Sequence, residues 1–181
     1  MIIALGADHR GAASARQLAD RLISLGHKVE ILSKLTGDTC DYPIPAYAVG
    51  RAVAEHAAKK VAAGQNVAAG QNVAAGKEES ASARTPDKLG ILICGTGIGM
   101  CIAANKIKGV RAAVVHDELS AEISRTHNDA NILCLSADLL GQRLIEKIAE
   151  VWLATPFQGG RHARRLEEIS LIEDGHDPLS R

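Results

Sequence analysis

Aromatic side chains are nearly missing from this chain: one Trp, two Tyr and one Phe in 181 residues. The apolar 46% is therefore almost entirely Ala, Val, Ile and Leu, and the core must be aliphatic. Net charge is missing too. Lys and Arg together number 21, as do Asp and Glu, and that balance gives no whole-surface field to attract nucleic acid or an anionic membrane. None of the four cysteines forms a C-x-x-C pair, which sets aside a zinc knuckle and a thioredoxin-type site. No apolar run reaches the roughly 18 residues of a membrane span, and no signal peptide precedes the first strand. The expectation is a protein of the reducing cytoplasm with free thiols and neither nucleic-acid nor membrane partners.

What is present is an alternation of two periods. Residues 1–5 are a short apolar run ending in Gly6-Ala7-Asp8, the pattern of a buried parallel strand. Ala15, Leu18, Ala19, Leu22 and Ile23 then repeat at helical spacing, and Gly26 closes that helix. Further strands are expected at residues 28–32, 89–94, 110–116 and 131–135. Further helices are expected at about 46–58, from the glycine loop to about 106, and at 118–125, 139–153 and 161–173. Residues 41–45 read as a loop, because two prolines preclude regular pairing. Strands alternating with helices predict an α/β fold: a three-layer, Rossmann-like sandwich with a parallel sheet of about five strands and helices on both faces. Ligands of such sheets bind at the carboxyl ends of the strands.

One stretch breaks the pattern. Residues 61–78 repeat the hexad VAAGQN, the third copy degenerate. Six residues advance a helix by about 240°, so the hexads make no single apolar face. Residues 60–87 are read as an insertion into a surface connection of one domain spanning residues 1–181.

Four motifs carry chemistry. Asp8-His9-Arg10-Gly11 falls where the first strand meets its helix, placing Asp8 and His9 at a ligand crevice. Cys94-Gly95-Thr96-Gly97-Ile98-Gly99 also follows a strand and opens a helix. Three glycines in five residues let the backbone approach a ligand and aim N–H groups at negative charge. It is not G-x-G-x-x-G, and no acidic partner stands about 20 residues on, so dinucleotide binding is not expected. A cysteine just before a helix N-terminus is placed where a thiolate is favoured. His127 sits in the polar run Ser124-Arg125-Thr126-His127-Asn128-Asp129. Arg161 and Arg165, four apart at the start of the last helix, share a face and suit a phosphate.

GADHRG, DYP, LICGTGIGMCIAANK, RTHNDAN and GGRHARR stand in an order that closely resembles the ribose 5-phosphate isomerase B family and its galactose 6-phosphate isomerase relatives. The resemblance covers about residues 1–58 and 88–173. It implies that the Cys94 thiol moves a proton between the first two sugar carbons, that Thr96 assists at the oxygens, and that the amides of Gly95, Gly97 and Gly99 hold an enediolate. It implies that His127 opens the furanose ring with Asn128 beside it. Asp8 and Tyr42 match substrate contacts; His9, Arg161 and Arg165 match phosphate contacts. The resemblance implies a site shared across a homodimer, with a tetramer as the alternative assembly, and neither metal nor cofactor. The implied reaction interconverts ribose 5-phosphate and ribulose 5-phosphate; galactose 6-phosphate, allose 6-phosphate or a tetrose phosphate are the alternative substrates. Many relatives carry an arginine just after the strand that here ends Cys134-Leu135-Ser136-Ala137, where this chain has Asp138.

Two other readings compete. A hydrolase or transferase could use Cys94 as nucleophile and His127 as base, but it leaves Arg161 and Arg165 without a task. A phosphosugar-sensing module of the same fold would need the arginines but not Cys94.

Overall fold

Ile2–Ala7 forms strand β1, second from one edge of a five-stranded parallel sheet. The other strands are β2 (Lys28–Ile31), β3 (Lys88–Cys94), β4 (Ala112–Val114) and β5 (Ile132–Ser136), in the order β2-β1-β3-β5-β4. The helices are α1 (Ala12–Ser24), α2 (Pro43–Ala62), α3 (Ile98–Ala104), α4 (Glu118–Thr126), α5 (Gln142–Ala154) and α6 (Arg161–Glu173). This computed structural model describes residues 1–63 and 86–180. The expected layered α/β fold is present. The sheet buries one face against α1 and α5, through Leu18, Leu22, Ile145, Ile148 and Trp152. It buries the other against α2 and α3, through Val49, Val53 and Met100. Those side chains are aliphatic with one exception, Trp152, whose indole N–H donates to Ser124 Oγ at 3.1 Å.

After β1 the chain turns outward to β2, then returns through α2 to β3 on β1's other side. That reversal opens a crevice at the carboxyl ends of β1 and β3. The loops carrying Asp8 and Cys94 emerge there.

Three boundaries differ from the sequence expectation. Pro43 and Pro45 do not sit in a loop: they form the first turn of α2. A first-turn residue has no intrahelical partner for its N–H, so proline loses nothing there. The same helix runs on to Ala62, two residues into the hexads; the rest of the expected insertion lies largely outside the described residues. Strand β4 is only three residues long, because the N–H groups of Val110 and Arg111 turn to Ile107 O and Asn131 Oδ1 instead.

Candidate active site

Asp8 is buried at the end of β1, and its Oδ1 accepts the N–H groups of Arg10 (2.9 Å) and Gly11 (3.0 Å). It therefore fastens the turn before α1 rather than capping the helix, whose N-cap is Gly11. A Cβ on Gly11 would stand 2.1 Å from the Ile93 carbonyl oxygen, so glycine alone lets this loop lie against β3.

Cys94 follows at once and is buried. The Gly97 N–H donates to its Sγ at 3.1 Å, which orients the sulfur beneath the loop. Gly97 reaches that position with φ +77, in the left-handed region, with Leu135 backbone 3.2 Å from where a Cβ would be. The Thr96 side chain is exposed, and its Oγ1 accepts the Ile98 N–H at 3.4 Å. Tyr42 lays its ring on Gly99: a Cβ there would meet Cε2 at 2.7 Å. His9 Nδ1 lies 3.4 Å from the Cys40 N–H, tying the first loop to the segment that leads to Tyr42. Asp8, His9, Tyr42, Cys94, Gly95, Thr96, Gly97 and Gly99 thus share one end of the sheet.

The turn after β5 is fastened to the same loop. Ser136 Oγ donates to Gly95 O at 2.6 Å, and the N–H groups of Ala137 and Asp138 donate to Cys94 O and Gly95 O. Asp138 Oδ2 accepts from Arg10 Nε at 3.0 Å and Nη2 at 2.6 Å.

A second group of expected residues forms elsewhere. His127 ends α4, and its ring stacks on His162 of α6 with centroids 4.1 Å apart and planes 8° from parallel. Burial, and then the neighbouring His127, Arg161 and Arg165, hold the His162 imidazole below its usual range. Arg161 and Arg165 are exposed on the same helix, and Asn128 is exposed beside His127. Beneath them Asp129 adopts φ 42 and joins Arg125 Nη1 (2.7 Å) to Arg111 Nη2 (2.9 Å) through its two oxygens. The buried Arg125 guanidinium lies 5.6 Å from the Trp152 ring. Burial pushes the Asp129 carboxyl up and the Arg125 guanidinium down from their ordinary values. This fixed triad holds the His127–Asn128 turn.

One chain does not bring the two groups together. Cys94 lies opposite Ser136 at the end of β5, while residues 127–131 lead into Ile132 at its start. Four residues of strand separate the two ends, roughly 13 Å at about 3.3 Å each. Two cavities lie among the described residues. One of about 580 Å³ is lined by Leu32, Cys40, Asp41 and Pro45. The other, about 550 Å³, is lined by Arg111, Ser124, Asn128 and Ile169. Cys94 lines neither.

The family model described as Ribose/Galactose Isomerase matches residues 3–85 and 79–169. The chain belongs to that family. The ribose-5-phosphate isomerase B of Escherichia coli is 36% identical over 173 residues, covering 94% of this chain and 95% of that protein. The crystal structure of ribose-5-phosphate isomerase B from Mycoplasma genitalium with bound ribulose-5-phosphate superposes with a TM-score of 0.76 at 33% identity, covering 96% of both chains. The D-erythrulose-4-phosphate isomerase of Pectobacterium atrosepticum is 48% identical over 84 residues, 46% of this chain. That match spans 55% of the relative's length, and similar partial matches to other curated family members span 57% and 58% of theirs.

Two pairings are not announced by the sequence: the His127–His162 stack and the Arg10–Asp138 ion pair. His162 lay inside a quoted motif, and its one-face spacing with buried Leu166 was the available signal. Arg10 and Asp138 are 128 residues apart, and no local pattern announces their pairing. Among the described residues no group of three His, Cys, Asp or Glu side chains is placed to hold a metal ion, and no helix is long and apolar enough to cross a membrane.

Proposed function

We propose that this member of the ribose/galactose isomerase family interconverts ribose 5-phosphate and ribulose 5-phosphate. The observation that carries the reading is the Cys94 thiol, held under a glycine loop at the carboxyl end of β3, in a chain that aligns almost throughout with ribose-5-phosphate isomerase B. Aldose–ketose exchange needs a base at the carbon-bound proton, N–H groups for the enediolate oxygens and an acid/base for the ring oxygen. Cys94 takes the C2 proton of the opened aldose and returns it to C1. Thr96 moves protons at the oxygens, and the amides of Gly95, Gly97 and Gly99 face the developing charge. Asp8 and Tyr42 border the sugar.

His127 opens the ring with Asn128 beside it, while Arg161 and Arg165 join His9 on the phosphate. The distance between the two groups within one chain supports a homodimer in which each site takes Cys94 from one copy and His127, Arg161 and Arg165 from the other. Dimers can pair further into tetramers. The four cysteines stand as free thiols, which fits a cytoplasmic enzyme. The whole chain is one isomerase domain carrying an insertion at about residues 60–87.

The likeness to a D-erythrulose-4-phosphate isomerase favours a second reading, the same chemistry on a four-carbon phosphate. A coupled assay across ribose 5-phosphate, galactose 6-phosphate, allose 6-phosphate and a tetrose phosphate decides. Ribose 5-phosphate is expected to have the highest kcat/KM; a higher value on another sugar transfers the assignment to that sugar.

A further inference from the structure

Arg10 follows the two loop residues already placed in the crevice, and its N–H is held by buried Asp8. Its guanidinium reaches across the glycine loop. A Cβ on Gly95 would meet both Arg10 Nε and Asp138 Oδ2 at 2.8 Å, so the ion pair rests directly on the residue next to Cys94. Asp138 cannot move away freely, because its own N–H is bonded to Gly95 O at 3.0 Å. The pair fixes where the positive charge stands.

A guanidinium offers five N–H groups in a planar fork. Asp138 takes one from Nε and one from Nη2, both on a single oxygen. Three remain, enough for a second, two-pronged contact with an anion that has oxygens in the same plane. The Arg10 side chain is 58% exposed, so that second edge is open to what enters the crevice. The Asp138 bond holds the Arg10 guanidinium firmly protonated. A phosphate meets both requirements, a negative charge and paired oxygens.

We propose that Arg10 is a substrate-phosphate contact supplied by the Cys94-bearing copy, and that Asp138 orients it while weakening its hold on the anion. This rests on the reading of the substrate as a sugar phosphate. Asp138 thus sets a guanidinium beside the glycine loop from the opposite loop, through Arg10.

The two partners have opposite expected effects, which separates an anion contact from a fastening between loops. Arg10→Gln should raise the KM for ribose 5-phosphate about tenfold or more and raise the Ki of inorganic phosphate similarly, with kcat changed less than about threefold. Arg10→Lys should recover part of that loss. Asp138→Asn should lower both KM and Ki about two- to fivefold, since it removes a negative charge but keeps an acceptor for Nε. Shifts in the same direction for Arg10→Gln and Asp138→Asn would show a loop fastening and overturn the proposal. So would an Arg10→Gln enzyme whose KM and Ki match the wild type. Thermal melts with and without phosphate report the same anion affinity on any variant whose turnover is too low to assay. A wild-type enzyme that turns over no sugar phosphate would overturn the substrate reading instead.

Discussion

Two cysteines near the crevice invite confusion. Cys94 faces the glycine loop, whereas Cys101 lies on α3 with its Sγ toward Ala112 O at 3.3 Å. A hydrogen bond from the Cys134 thiol draws Cys101 down to about 7 and pushes Cys134 well up. Cys101 should therefore react with iodoacetamide at a rate that rises through about pH 7, and alkylation alone will not identify the base. Substitution does. Cys94→Ala is expected to lower kcat by about 10²–10⁴ with little change in substrate binding, while Cys101→Ala keeps most of the activity. A Cys94→Ala enzyme retaining more than about a tenth of the wild-type rate would remove Cys94 from the mechanism. His127 has its own signature. His127→Asn should depress turnover of ribose 5-phosphate, which must open its ring, far more than turnover of a tetrose phosphate, which cannot close a furanose. Equal losses on both sugars would place His127 in enolisation or binding instead.

The connection between β1 and α1 depends on one missing methyl group. Gly11→Ala drives a Cβ against the Ile93 backbone, which has no flexible end to yield. The expected cost is about 1–3 kcal/mol, as for other overpacked sites, read as a fall in Tm. Turnover should fall as well, since the same shift moves Asp8 away from Cys94. An unchanged Tm would mean that the loop has room to spare. Legibility follows the same physics. Strands and helices were readable because each repeats its own period, and α6 was expected over the residues it occupies. The first turn of α2 was not, since proline carries the same letter in a loop and at a helix start. The site motifs were readable as an ordered set, yet order does not say which motifs meet. Register does: it puts Cys94 of β3 opposite Ser136, at the far end of β5 from Ile132. Arg10 and Asp138 meet only through the folded sheet.

For the whole molecule, the segment proposed as an insertion is flanked by two points that already touch. Lys60 near the end of α2 pairs with Asp87 just before β3. Replacing residues 64–85 with a short Gly-Ser linker should keep the Tm within a few degrees and leave turnover intact, because loop length costs only about 0.6 kcal/mol per doubling. Loss of the proposed dimer on excision would give the segment a structural task. The separation of the two residue groups has a genetic consequence. A Cys94→Ala chain still carries a sound His127, and a His127→Asn chain a sound Cys94. Each alone is expected to be nearly inactive on ribose 5-phosphate. In a mixed dimer with shared sites, one site gathers both defects and the other gathers none. Random reassortment of equal amounts should therefore restore about a quarter of the wild-type rate, from two preparations that are each nearly inactive.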